Sequence, residues 1–261
     1  MTAGDARGLY LFAIVGSTAV DLSGLPGIAG GDSPRLVGSG DLAAVVTDVP
    51  LSALDVREEE VTEDGRLARM AMDHDTVIRA VFEQTPALPL RLATVVGDED
   101  AARRLLEERS AEIRDLLARL AGHQEWGVRL RREGAAPDAN TERERDRAAR
   151  PSGRDYLQAR REALRASQEQ RHAVRQAGDE VYRALAEHAT DATRLSGGGA
   201  ADLLLNATYL VPIAATQEFR DVVEKYATDL AAGGVQVELT GPWPPYSFAQ
   251  VTIGSQAAAD G

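Results

Sequence analysis

Residues 235–248, "VQVELTGPWPPYSF", decide how the second half of the chain is read. The first six residues alternate apolar and polar, the signature of a strand with one buried face. Gly241 and Pro242 should end that strand, because proline has no N–H to give to a ladder. Pro244 and Pro245 favour an extended, polyproline-like backbone, with Trp243, Tyr246 and Phe248 carried on a stiff rod. This is a dense aromatic cluster in a chain that is only 5% aromatic.

Working back from this strand, the second half reads as a repeating order. "EWGVRLRRE" (125–133) alternates like a half-buried strand. A long helical region follows, from about 154 to 188, in which Gly178 and a polar middle are possible breaks. "ATRLSGGGAADLLLNATYLVPI" reads as strand, glycine turn, strand. A helix then starts at Thr216 as cap, with Phe219, Val222, Val223, Tyr226 and Leu230 as its apolar stripe, and Gly233 and Gly234 as its end. "VQVELT" closes the set, and "AQVTI" adds a short extra strand. The order β-α-β-β-α-β is that of a split βαβ, ferredoxin-like unit.

The first half is also mixed. "GLYLFAIVG" (8–16) is a buried strand. "RLV–GSGD–LAAVVTDV" (35–49) is a hairpin about a glycine turn. A helix follows with Leu67, Met70, His74, Val77, Ile78, Val81 and Phe82 on one face. "ALPLRLATVV" (87–96) reads as one strand. Asp98 caps a helix that runs through Leu105, Leu106, Ile113, Leu116, Leu117 and Leu120 to Gly122. The expected class is therefore α+β with two domains, 1–122 and 123–254. A mobile insert is expected near 134–153, and a frayed tail at 255–261.

Composition narrows the function. The 261 residues contain no cysteine, so disulfides, thiolate metal sites and cysteine nucleophiles are excluded. A net charge of −12 disfavours general nucleic-acid binding. That charge is uneven. Between Arg129 and Arg175 there are 13 arginines against 8 acidic residues, net +5, which leaves −17 for the rest. "LYLFAIV" is far short of the roughly 20 apolar residues that span a bilayer, and no secretory leader is legible. A cytoplasmic protein with no membrane partner is the expectation.

The search for chemistry returns little. Lys225 is the only lysine and lies in a helix, so no phosphate-binding P-loop is present. The "GSG" at 38–40 fits a hairpin turn better than a dinucleotide fingerprint. His74, in "MDHD", sits on the apolar stripe, and its neighbouring carboxylates point about 100° away around the helix. A core-edge histidine bonded to a neighbour is the simpler reading than a metal ligand. The acidic runs at 58–60 and 98–100 fit helix starts. No catalytic, metal or cofactor-binding residue is assigned. Two roles remain open for Trp243, Pro244, Pro245, Tyr246 and Phe248: a structural crossover that fills the core, or a rigid aromatic face for a partner. Arg160 and Arg161, in the basic middle, are further candidates for partner contact. A regulatory module that docks an acidic protein is the alternative function.

With these residues in view, "LTGPWPPYSF" resembles the C-terminal signature of the gas vesicle protein F/L family (GvpF/GvpL). "LYLFAIV", "DHDTVIRAV…LPLRLATVV", "EWGVRL", "SGRDYLQARR" and "NATYLVP" are similar to that family's blocks, in the same order. One departure stands out: Leu92 and Ala93 occupy positions where an aromatic residue and a glycine are expected, as in "PLRFGT". The resemblance implies two α+β domains, the second a modified ferredoxin-like fold, and no enzymatic activity or cofactor. It also implies an accessory or minor structural role in gas vesicle assembly. The implied partners are the hydrophobic major shell protein, gas vesicle protein A, and other gas vesicle accessory proteins.

Overall fold

The computed structural model of the chain describes residues 6–16, 19–54, 65–132, 160–161, 176–196 and 202–249. The expected insert at 134–153, the final strand from 250 and the tail fall outside them. The described chain is α+β with two antiparallel sheets. It separates into two compact units, one built from residues up to Glu125 and from Pro242 onward, the other from Trp126–Gly241. The proline-rich end of the chain is grouped with the first unit.

In the first unit, β1 (Arg7–Gly16) is central. β2 (Arg35–Ser39) and β3 (Leu42–Pro50) form the expected hairpin about Gly40 and Asp41. Gly40 has φ of +62°, which glycine adopts without a side-chain clash. The sheet order is β2-β3-β1-β4, with β4 (Ala87–Pro89) and β5 (Val95–Val96) both pairing with β1. β1 is buried from Gly8 to Val15 because helices lie on both of its faces. α1 (Arg66–Phe82) brings Met70, His74, Val77, Ile78 and Val81 to one face, against Tyr10, Phe12, Val15 and Val45. On the other face, α2 (Glu99–Glu108) packs on β2 and β3, and α3 (Ser110–Leu120) packs on β1 and β4.

Two expectations for this unit change. The single helix after Asp98 is two helices that meet at Arg109, whose ψ of 14° breaks the helical path. Asp98 does cap the first, accepting the Ala101 N–H at 2.8 Å. The single strand over 87–96 is interrupted. Its ends continue along β1, with Leu90 N–H donating to Phe12 O and Leu11 N–H donating to Thr94 O, both at 2.9 Å. Between them the chain turns out of the sheet at Arg91–Ala93, where Ala93 has φ of +64°.

The second unit is a four-stranded sheet in the order β7-β8-β6-β9. Its strands are β6 (His123–Arg132), β7 (Asp191–Arg194), β8 (Leu203–Pro212) and β9 (Val235–Trp243). α4, described over 176–186, follows β6 in the chain, and α5 (Thr216–Ala231) follows β8. Their apolar faces meet Trp126, Val128, Leu130, Leu205, Ala207 and Tyr209 of the sheet. Gly178 does not break α4. It is buried within the helix because α4 approaches β8 so closely that an added Cβ would lie 2.6 Å from Leu204 O. Thr216 is the first residue of α5 rather than its cap, a position held by Ala215. β9 runs through Pro242 to Trp243 instead of stopping at Gly241. It lies at the sheet's edge, where one side of the strand needs no donor.

Candidate functional site

The proline-rich segment after β9 is anchored by hydrogen bonds of its own backbone and side chains. Its own backbone is pinned by two tight turns, with Tyr246 N–H donating to Pro244 O at 2.7 Å and Phe248 N–H donating to Pro245 O at 3.2 Å. These turns project successive side chains onto α1 and onto the start of β6. The Tyr246 hydroxyl donates to Asp75 Oδ1 at 2.8 Å. Asp75 Oδ2 takes Arg79 Nε at 2.6 Å, one helical turn on. The Arg79 guanidinium in turn lies over the Trp243 ring, 4.1 Å from its centre. Trp243, Arg79, Asp75 and Tyr246 thus form a chain of three contacts whose ends are joined by the backbone from 243 to 246. The cation–π member contributes about 0.5–1 kcal/mol at a half-exposed site.

Glu125 is the second anchor. It is only 5% exposed, and both carboxylate oxygens are taken by one residue. Ser247 N–H donates to Oε2 and Ser247 Oγ to Oε1, each at 2.7 Å. Burial pushes the Glu125 carboxyl above its ordinary range, and the two bonds from Ser247 pull the other way. The Tyr246 hydroxyl is also pushed up, first by burial and then by its bond to Asp75.

The candidate residues therefore separate. Pro244, Pro245 and Phe248 are buried, and Tyr246 packs on the apolar cluster of α1 and β1. These four act as packing and anchoring groups. Trp243 is half-buried, while Arg160 and Arg161 are exposed. Sequence reasoning missed the receiving side, Asp75, Arg79, Glu125 and Ser247. Glu125 carried one signal, a polar residue at the head of an otherwise apolar alternation. His74 is buried and bonded, with Nδ1 2.8 Å from the Tyr10 hydroxyl and Nε2 3.1 Å from Leu90 O. Among the described residues no cluster of three or more histidine, aspartate or glutamate side chains is arranged to hold a metal. No helix of the described residues is long and apolar enough to cross a membrane.

This fold is that of solved gas vesicle proteins. The chain is similar to the GvpF structure from Anabaena sp. PCC7120, with a TM-score of 0.67 over 97% of this chain and 100% of that one. It is also similar to GvpF from Microcystis aeruginosa, with a TM-score of 0.63 over 94% and 99%. Both are 18% identical in sequence, so the likeness is one of fold. Sequence carries the relationship further. The family model for gas vesicle synthesis protein GvpL/GvpF matches residues 8–250. Gas vesicle protein L of Streptomyces sp. (strain CB03234) is 40% identical over 235 residues, 85% of each chain. The chain belongs to the GvpL/GvpF family of gas vesicle proteins.

Proposed function

We propose that this chain is a non-enzymatic, cytoplasmic gas vesicle protein that binds the hydrophobic major shell protein, gas vesicle protein A, and works with other accessory gas vesicle proteins during assembly. The match of the family model from residue 8 to residue 250 carries this reading. The physical task is to keep a strongly apolar subunit from self-association until it joins a growing wall. A folded, acidic protein with a locally basic segment is suited to such transient holding. We further propose that the second unit is a modified ferredoxin-like fold. Its element order, β6-α4-β7-β8-α5-β9, and its sheet order, β7-β8-β6-β9, support that.

For the contact itself, exposure favours Arg160, Arg161 and the open side of Trp243 over the buried members of the proline-rich segment. The test is co-expression with the major shell protein followed by capture on this chain. Three forms are compared: the natural sequence, a deletion of 134–153, and R160E/R161E. Specific capture by the natural chain, reduced in the altered forms, is the expected result. Failure of the folded natural chain to capture any shell protein overturns direct binding.

A further inference from the structure

His74 is 6% exposed and lies between aromatic rings, edge-on to Tyr10 and stacked on Phe12. A buried imidazole is tolerated when both nitrogens are bonded, and here both are. The Leu90 carbonyl can only accept, so Nδ1 of the neutral ring accepts the Tyr10 proton, while the Ala93 N–H donates to the Tyr10 oxygen at 3.3 Å. That fixes the tautomer: Nε2 carries the hydrogen and donates it to Leu90 O. The relay therefore begins on α1 and ends at both sides of the turn that breaks the edge strand. The turn is held otherwise by Thr94, whose Oγ1 and N–H both donate to Arg91 O, and by the two bonds to β1 at its base.

We propose that His74 is a proton-operated latch on the 90–94 turn, closed when the imidazole is neutral and released when Nδ1 gains a hydrogen. The donor count disfavours the closed form once the ring is charged. An imidazolium donates from both nitrogens, so the Tyr10 hydroxyl must accept from Nδ1–H. Its own proton is then left without that acceptor inside the core, while the second lone pair still takes the Ala93 N–H. The surroundings do not compensate the charge. From β1, Tyr10 and Phe12 face the ring, and the turn offers only the Leu90 carbonyl. From its own helix, Asp75 acts on it, already engaged by Arg79 and Tyr246. Burial outweighs the help of Leu90 O and Asp75 and holds His74 below its ordinary 6.5. A lowered histidine stabilises the closed form above the open-state value. The latch therefore loosens as pH falls below 6.5, by at most about tenfold per pH unit.

The experiment is amide hydrogen exchange by NMR on the full chain from about pH 8 to about pH 5, corrected for the intrinsic rate. Ala93 and Leu11 report the turn, and Val46, inside β3, reports the unit as a whole. The expected result is constant protection at Ala93 and Leu11 above about 6.5 and a fall of up to about tenfold per pH unit below it, always from a lower level than Val46, whose global opening also frees His74. In Tyr10→Phe, Ala93 should be poorly protected throughout and its pH step absent. Protection at Ala93 that does not change with pH, or that equals that of Val46 at every pH, overturns the latch. A pH step that survives in a folded Tyr10→Phe chain overturns the relay through the hydroxyl.

Discussion

Replacing Ala93 by glycine should make the protein more stable, although it removes atoms and adds chain freedom. Ala93 has φ of +64°, and an L-residue held in the left-handed region costs about 1–2 kcal/mol. Glycine removes that cost but enlarges the unfolded ensemble, which returns about 0.4–1 kcal/mol. The methyl group is exposed, so its loss forfeits little burial. The net expectation is a gain of about 0.5–1 kcal/mol, or about 1–4 °C in Tm for a chain of this size. Ala29, also exposed and with φ of +53°, is an independent site where the same sign should appear. The assay is urea unfolding followed by far-UV circular dichroism, with the slope m checked for constancy. Destabilisation of Ala93→Gly by more than about 0.5 kcal/mol at constant m would refute the reasoning. It would mean that the methyl group, not the backbone, decides the energy of the turn.

Tyr246→Phe should cost about 1–2 kcal/mol by removing the donor to Asp75, with a measurable coupling to Asp75→Ala in a double-mutant cycle of unfolding free energies. Gly178→Ala ordinarily strengthens a helix, but here the new Cβ meets Leu204 O at 2.6 Å. It should destabilise by about 1–3 kcal/mol, and an unchanged or higher Tm would show that α4 can shift away from β8. Glu125→Gln tests the buried carboxyl. Because its folded value is raised, Glu125 favours the folded state most at low pH, and that contribution is lost as pH climbs through the raised value. Unfolding measured from about pH 4 to about pH 8 should therefore show a flatter profile for the glutamine form. An identical profile would mean that Glu125 titrates as it does in the unfolded chain.

What could be read from sequence followed the strength of the local signals. The apolar stripe of α1 and the alternation in β6 and β9 are periodic over many residues, and the elements appear where periodicity puts them. The β2–β3 hairpin was legible because Gly40 sits where a tight turn needs positive φ. Misreadings came where tertiary contact overrides local preference. Gly178 looks like a helix breaker until Leu204 is placed against it. Pro242 looks like a strand end until β9 is known to be an edge. The one strand over 87–96 splits because the 90–94 turn is fixed by Tyr10 and His74, residues 83 and 16 positions away from their partners in it. The departure at Ala93 was visible in sequence, but only φ explains why glycine suits that position. The proline-rich segment announced itself by composition. Its receivers, Asp75, Arg79 and Glu125, did not, because each looks like an ordinary charged residue until the chain returns to them.

That return gives the chain an order of events. The second unit is spliced into the first, entering after Glu125 and leaving before Pro242, and the strands at its two ends, β6 and β9, are neighbours in one sheet. During synthesis from the N-terminus, every part of the second unit has been made before the ribosome adds the residues that bond to Asp75 and Glu125. The inserted unit can therefore fold while its host is still unfinished. Until then Glu125 lacks Ser247 and Asp75 lacks the Tyr246 hydroxyl. Closure of the first unit therefore depends on residues made after the inserted unit, and the proline-rich segment is the closing step of the fold.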